Sequence, residues 1–155
     1  HLSTRRQRQM CIRDSHTSFN ESKLMDRDIC DEYASIFDSI FNKQWTGNFE
    51  CWYQVYKNDE YQEWHDHMPS TLSAIHFLNF KKEHKAPMFQ DPIRNLKATM
   101  NHAGLNERML ETDKYTPEVE EGDIIIFPSY LQHTVPAGKY NSHRVTIALN
   151  LNVPL

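Results

Sequence analysis

The chain has 155 residues, 39% of them hydrophobic and 25% charged, with a formal net charge of −4. That is the length of one domain with a single sizeable core, and its longest apolar run, Ile124-Ile125-Ile126-Phe127, is strand length, so no helical membrane span is expected. An acidic balance without a basic stripe also argues against a protein that holds nucleic acid through its phosphates.

Residues 1–15 stand apart. Arg5-Arg6-Gln7-Arg8-Gln9-Met10-Cys11-Ile12-Arg13-Asp14-Ser15 resembles, over eleven consecutive residues, the conceptual translation of a transposase adaptor used in preparing sequencing libraries. The segment is therefore read as a translation artefact and not as a basic arm. Residues 16–155 are read as a single domain whose native N-terminus is missing. Without Arg5, Arg6, Arg8, Arg13 and Asp14 the chain keeps 13 basic and 20 acidic residues, a net −7. Cys11 leaves with the segment. Cys30 and Cys51 then form no disulfide pattern, which fits a reducing cytoplasm, and no signal peptide is visible.

In chain order, Asn20 or Ser22 can cap a helix running to about Asn42. Ile29, Tyr33, Ile36, Phe37, Ile40 and Phe41 recur at helical spacing and predict one apolar face lying across a sheet. Strands follow at Phe49 to Lys57, Tyr61 to His67, Thr71 to Phe80 and Met88 to Pro92. Lys81 to Lys85 is a solvated loop that leaves His84 at the surface. The polar stretch from 93 to 114 reads as a long loop with at most a helical turn, and its His102 as an exposed side chain. The remaining strands are Tyr115 to Val119, Ile124 to Phe127, Leu131 to Val135 and Arg144 to Val153. One helix followed by many short strands predicts a mainly β barrel or jelly roll with helical support.

The chemistry centres on Tyr61-Gln62-Glu63-Trp64-His65-Asp66-His67. Side chains on an extended segment alternate, so His65 and His67 share a side while Asp66 faces away. Alone, that pattern equally describes a solvated strand face. His133 can join the pair if the fold brings its strand alongside, and three imidazoles on one face suit iron, zinc, copper or nickel with open positions left for substrate. Arg144 and Thr146 share a strand face by the same alternation, and the planar fork of an arginine suits bidentate grip of a carboxylate. A metal beside such a clamp points to a carboxylate co-substrate whose other end reaches the metal.

These pieces, with Trp52-Tyr53-Gln54-Val55-Tyr56, Leu72 to Leu78, Gly122 to Ser129, His133-Thr134-Val135-Pro136 and Arg144 to Ile147, fall in an order and spacing that resemble one family. The chain is similar, from about Phe49 to Val153, to the 2-oxoglutarate- and Fe(II)-dependent oxygenases, in the prolyl-hydroxylase-related group common in marine phage and bacterial genomes. The resemblance implies a double-stranded β-helix, cupin-like in outline. It implies His65 and His133 as iron ligands and Arg144 with Thr146 holding the distal carboxylate of 2-oxoglutarate. Tyr56 and Phe77 would line the co-substrate pocket. The implied activity is hydroxylation of a peptidyl or small-molecule substrate. Most of the superfamily has His-x-Asp where this chain has His65-x-His67. A neutral three-histidine face offsets less of the iron's charge, which predicts weaker iron binding or altered chemistry.

Two other readings compete. A cupin-like three-histidine metalloenzyme would not need Arg144, and a non-catalytic viral jelly roll would not bring the histidines together. Of the other conspicuous residues, His76 is read as packing or hydrogen-bonding within the barrel and His143 as a loop residue beside Arg144. Trp45, Trp52 and Trp64 are read as core or rim aromatics, and Asp91 as a turn residue before Pro92. Nothing in the sequence speaks to the oligomeric state.

Overall fold

The computed structural model describes residues 21–24, 27–42, 49–102 and 113–152. Residues 1–15, read as foreign, lie outside them, as does Trp45. The elements in order are β1 (Glu21–Leu24), α1 (Arg27–Ile40), β2 (Phe49–Tyr56), β3 (Gln62–His65), β4 (Leu72–Asn79) and β5 (Met88–Gln90). They continue with α2 (Arg94–His102), β6 (Lys114–Tyr115), β7 (Ile124–Pro128), β8 (His133–Val135) and β9 (Arg144–Leu151). A five-stranded sheet in the order β1-β2-β9-β4-β7 faces a four-stranded sheet in the order β3-β8-β5-β6, and every pairing is antiparallel. This is the expected mainly β double-stranded helix, with a helix ahead of all strands but the first. No helix of the described residues is long and apolar enough to cross a membrane.

Alternation along β2 and β9 divides the interior in two. Cys51 on β2, Ala74 on β4 and Ile147, Leu149 and Leu151 on β9 form one core with Tyr33 and Phe37 of α1. The intervening residues Trp52, Gln54, Thr146 and Ala148 line a cavity on the other side of the same sheet, between the two sheets. A second cluster, Ile75, Phe77, Phe80, Phe89 and Phe127, fills the rest of that space. One strand thus serves both a dry core and a site, because its side chains leave on opposite faces.

The helix differs from expectation at both its start and its face. Ser22 sits in a strand paired with β2 through Glu21↔Val55 and Leu24↔Trp52, so the helix begins only at Arg27. Asn20, the other proposed cap, lies outside the described residues. The buried stripe is Cys30, Tyr33, Ala34, Phe37 and Phe41, whereas Ile29, Ile36 and Ile40 are exposed. Two apolar stripes share this helix, and periodicity alone does not say which one meets the sheet.

Other segments are also revised. Residues 94–102 of the expected long loop form α2, with the Asp91 carboxylate accepting the Ile93 amide at 2.9 Å and pairing with Lys97. The strand expected over Tyr115 to Val119 shrinks to Lys114–Tyr115, and the last strand ends at Leu151. His84 is buried, accepting the Lys81 amide at Nδ1 (3.0 Å) while its Nε2 lies 3.0 Å from the Ser142 carbonyl. His76 lies on the helix side of the sheet, where its Nδ1 meets the Tyr33 hydroxyl at 2.6 Å. His143 lies in a loop, as expected, and is exposed.

Candidate metal centre

The pairing of β3 with β8 sets His65 directly opposite His133. His67 lies two residues past the end of β3, where its amide donates to the Ser129 carbonyl at 2.9 Å and its own carbonyl accepts the Ser70 amide at 3.0 Å. The three ligand-capable nitrogens lie within 4.8 Å of one another, and the ring centres are 4.2 to 5.1 Å apart. Asp66 turns away, its carboxylate accepting the Met68 amide at 3.1 Å.

Two of the rings have their tautomer set by the backbone. His65 Nδ1 lies 2.7 Å from the Glu63 carbonyl and His133 Nδ1 lies 3.0 Å from the Leu131 carbonyl. A carbonyl can only accept, so each Nδ1 carries the proton and each Nε2 presents a lone pair. Orientation of a ligating imidazole by such a backbone carbonyl is the usual support of a metal site. Burial holds all three histidines below the ordinary imidazole range, His133 down to about 3, and the crowding of neighbouring imidazoles lowers His67 and His133 further. At neutral pH the cluster is uncharged, which a cation requires of nitrogen ligands. This donor set fits a divalent transition metal.

Behind the histidines, Tyr56↔Arg144 and Gln54↔Thr146 are register partners on β2 and β9. Arg144 and Thr146 are each only 1% exposed. The Arg144 guanidinium lies over the Tyr56 ring, and the Tyr56 hydroxyl donates to Gln62 at 2.9 Å. Arg144 Nε and Nη1 and Thr146 Oγ1 are buried without hydrogen-bond partners among the described residues. Burial lowers the pKa of Arg144, yet a guanidinium starts so far above neutrality that it stays charged. A buried cation with unmet donors beside a free hydroxyl is chemically suited to a carboxylate. Phe77 is register partner to Thr146 and packs with Phe80, their ring centres 4.9 Å apart.

The same cavity contains residues that sequence reasoning passed over. Trp52, Gln54, Gln62 and Ser73 line it. Trp52 and Gln54 are legible in retrospect, since they share a face with Tyr56 by period two. Ser73 and its partners were not: its hydroxyl lies 2.8 Å from Ser129 Oγ and 3.0 Å from the Asn150 carboxamide, 56 and 77 residues away. Asp91 is both the expected turn residue and part of the wall of a larger cavity of about 680 Å3, bounded by Phe89, Phe127, Ile125, Leu131 and Tyr115. The Phe89 and Phe127 rings of that wall also pack against His133, at 5.5 and 5.0 Å between centres.

A family model described as "Putative 2OG-Fe(II) oxygenase" matches residues 50–150. Among solved structures, the chain is similar to a prolyl-4-hydroxylase from Pseudomonas putida at 15% identity and TM-score 0.58, covering 99% of this chain and 85% of that one. It is similar to a prolyl hydroxylase from Trichoplax adhaerens, solved with a hypoxia inducible factor oxygen degradation domain peptide fragment, at 11% identity and TM-score 0.58, covering 98% and 77%. A third is SnoN, a non-heme α-ketoglutarate-dependent epimerase of nogalamycin biosynthesis, at 11% identity and TM-score 0.57, covering 97% and 70%. At these identities the likeness is one of fold. A search of curated proteins finds no match.

Proposed function

The chain belongs to the 2OG-Fe(II) oxygenase family, whose model spans residues 50–150, and on that premise we propose that it is a 2-oxoglutarate- and Fe(II)-dependent dioxygenase that hydroxylates a peptidyl or small-molecule substrate. The observation that carries this reading is the buried guanidinium of Arg144, whose Nε and Nη1 have no hydrogen-bond partner among the described residues, lining the same cavity as the three-histidine cluster. A three-histidine enzyme working without an acidic co-substrate would leave that charge without an anion, at a cost of several kcal/mol.

In this reading His65, His67 and His133 hold the iron, each imidazole already neutral and two of them already turned by a backbone carbonyl. Arg144 and Thr146 hold the distal carboxylate of 2-oxoglutarate, with the Tyr56 ring stacked on the guanidinium and Phe77 in the apolar packing behind. When bound, Fe(II) would activate dioxygen, one oxygen atom passing into a C–H bond of the substrate to give C–OH while the other oxidises 2-oxoglutarate to succinate and carbon dioxide. The chain's own share is to orient both ligand sets, neutralise the carboxylate and keep bulk water out of the barrel. The cavity of about 680 Å3 behind Phe89 and Phe127 is the seat of the prime substrate, since its wall is shared with His133. A peptidyl substrate is favoured by the fold's likeness to the Trichoplax adhaerens enzyme, which was solved with a peptide. The His65-x-His67 pair sets the chain with the His-x-His group of marine phage and bacterial relatives. We take residues 1–15 as foreign and residues 16–155 as part of the native domain, acting in the cytoplasm.

The test is anaerobic titration of the Fe(II)-loaded protein with 2-oxoglutarate, followed by the visible metal-to-ligand charge-transfer band. A saturable band supports the proposal. Iron binding with no band on adding 2-oxoglutarate would leave a three-histidine metalloprotein of another kind, and failure to bind iron would point to a non-catalytic jelly roll.

A further inference from the structure

The His65 ring is held from its own strand, by the Glu63 carbonyl at 2.7 Å. The other two histidines lean on the turn that follows β7. The Ser129 carbonyl accepts the His67 amide at 2.9 Å, and the Leu131 carbonyl lies 3.0 Å from His133 Nδ1. His67 depends on that turn the more, because it stands beyond the end of β3, outside the ladder that pairs His65 with His133. Its Nδ1 has no hydrogen-bond partner among the described residues, so the ring is placed by its backbone and by packing against Trp52. The turn is closed by the Leu131 amide donating to the Pro128 carbonyl at 3.0 Å, and the Ser129 amide donates to the Thr71 carbonyl at 3.1 Å. A side chain adds a further attachment. Ser129 Oγ lies 2.8 Å from Ser73 Oγ, and the Ser73 hydroxyl donates to the Asn150 carboxamide oxygen at 3.0 Å.

The register explains how these three residues meet. Ser73 on β4 stands opposite Asn150 on β9 and Phe127 on β7, so Ser129, two residues past Phe127, is its diagonal neighbour on the same face. All three are buried, at 1%, 0% and 4% exposure for Ser73, Ser129 and Asn150. A carboxamide oxygen only accepts, so the single Ser73 proton goes to Asn150 and Ser129 must donate to Ser73. Each hydroxyl therefore has one direction, and in a dry interior breaking either bond is costly. We propose that Ser73 and Ser129 are positioning residues of the metal centre, an inference that rests on the reading of the three histidines as its ligands. Their bond pins the turn over residues 128–131 where its two carbonyls bring His67 and His133 to the point that His65 already faces.

The test uses the full chain with Co(II) alone as the probe, read by its visible absorption and by competition with a chelator, without 2-oxoglutarate or turnover. Ser129→Ala keeps the backbone carbonyl and the Ser73–Asn150 bond but removes the pin. It is expected to weaken Co(II) binding by ~10–100-fold and to alter the d–d spectrum at saturating metal. Ser73→Ala removes the other end of the same bond and is expected to act alike, so the test stands should one variant fail to fold. Tyr33→Phe deletes a bond on the helix side of the sheet, the one to His76 at 2.6 Å. It should lower Tm and leave Co(II) affinity and spectrum unchanged. In the His67→Ala background the loss from Ser129→Ala should shrink, since the pin acts in part through His67. The inference is overturned if the serine variants lose only Tm and keep parental affinity and spectrum, or if the losses at Ser129 and His67 add in full. Parental Co(II) binding by His67→Ala would overturn the three-histidine centre itself, and the inference with it.

Discussion

The guanidinium carbon of Arg144 lies 4.6 Å from the centre of the Tyr56 ring, and both side chains are 1% exposed. The two residues are register partners on neighbouring strands, so the stack follows directly from the β2–β9 pairing. The ring covers one face of the cation, and none of the ion pairs among the described residues involves Arg144. What the arrangement lacks is an anion.

Replacing Arg144 with Leu therefore tests the co-substrate clamp. Binding of 2-oxoglutarate should weaken by ~1.5–3 kcal/mol, the worth of hydrogen bonds to a charged group, or roughly tenfold to a little over a hundredfold. Iron content should be unchanged. Arg144→Lys should recover only part of the loss, since it restores charge without the planar fork. Isothermal titration under anaerobic conditions reads both, and an unaltered affinity in Arg144→Leu would remove the clamp from the mechanism.

Loss of a ring from the histidine cluster should be more severe than loss of its support. His133→Ala is expected to lower Fe(II) affinity by more than the ~10–100-fold typical of residues that only orient a ligand. Asp66→Asn should leave it unchanged, because that carboxylate faces away and caps the Met68 amide. Metal content after gel filtration in a defined Fe(II) buffer distinguishes the two.

The depressed histidines also predict an acid limit to the stability of the metal-free protein. In the unfolded chain each imidazole protonates near its ordinary value of about 6.5, whereas folded His133 protonates only near a pH of about 3, because burial disfavours its charge. Between those values the unfolded state binds more protons than the folded one, so stability rises with pH. The neutral cluster's contribution is fully present above about pH 6.5 and is lost as pH falls towards about 3, each tenfold difference in proton affinity being worth about 1.4 kcal/mol. His65 and His67 are displaced in the same direction and add to the effect. Urea midpoints between about pH 7 and pH 4 should fall in the parent and fall less in His133→Ala. Equal slopes would show that His133 does not titrate as described.

The helix offers a direct comparison of two apolar stripes. Phe37 is fully buried against the sheet, so Phe37→Ala should cost ~3–5 kcal/mol. Ile36, its neighbour, is 40% exposed, and Ile36→Ser should change stability by no more than ~0.5 kcal/mol. Comparable losses at the two positions would mean that something covers the outer stripe.

Much of this architecture is legible along the chain because it rests on local rules. Period two assigns His65 and His67 to one side and Asp66 to the other, and it puts Arg144 and Thr146 on one face. Turn chemistry at Asn58-Asp59 and Glu121-Gly122-Asp123 punctuates the strands, with Asp59 and Gly122 adopting the positive φ that such turns need. The family resemblance carried the order of the motifs and hence the fold.

Other features depend on partners far apart in sequence, and no local pattern contains them. Which apolar stripe of α1 is buried was settled by the face of the sheet it meets, since Ile29, Ile36 and Ile40 have the same periodicity as Tyr33 and Phe37. That His84 is buried follows from Ser142 and Tyr140, more than fifty residues on. His133 stands opposite His65 only through the β3–β8 register. The sequence by itself determined which side chains share a face, because that is dihedral geometry repeated residue by residue. The tertiary structure alone decided which faces meet, because that is set by burying the most apolar surface while pairing most interior polar groups, a property of the whole chain.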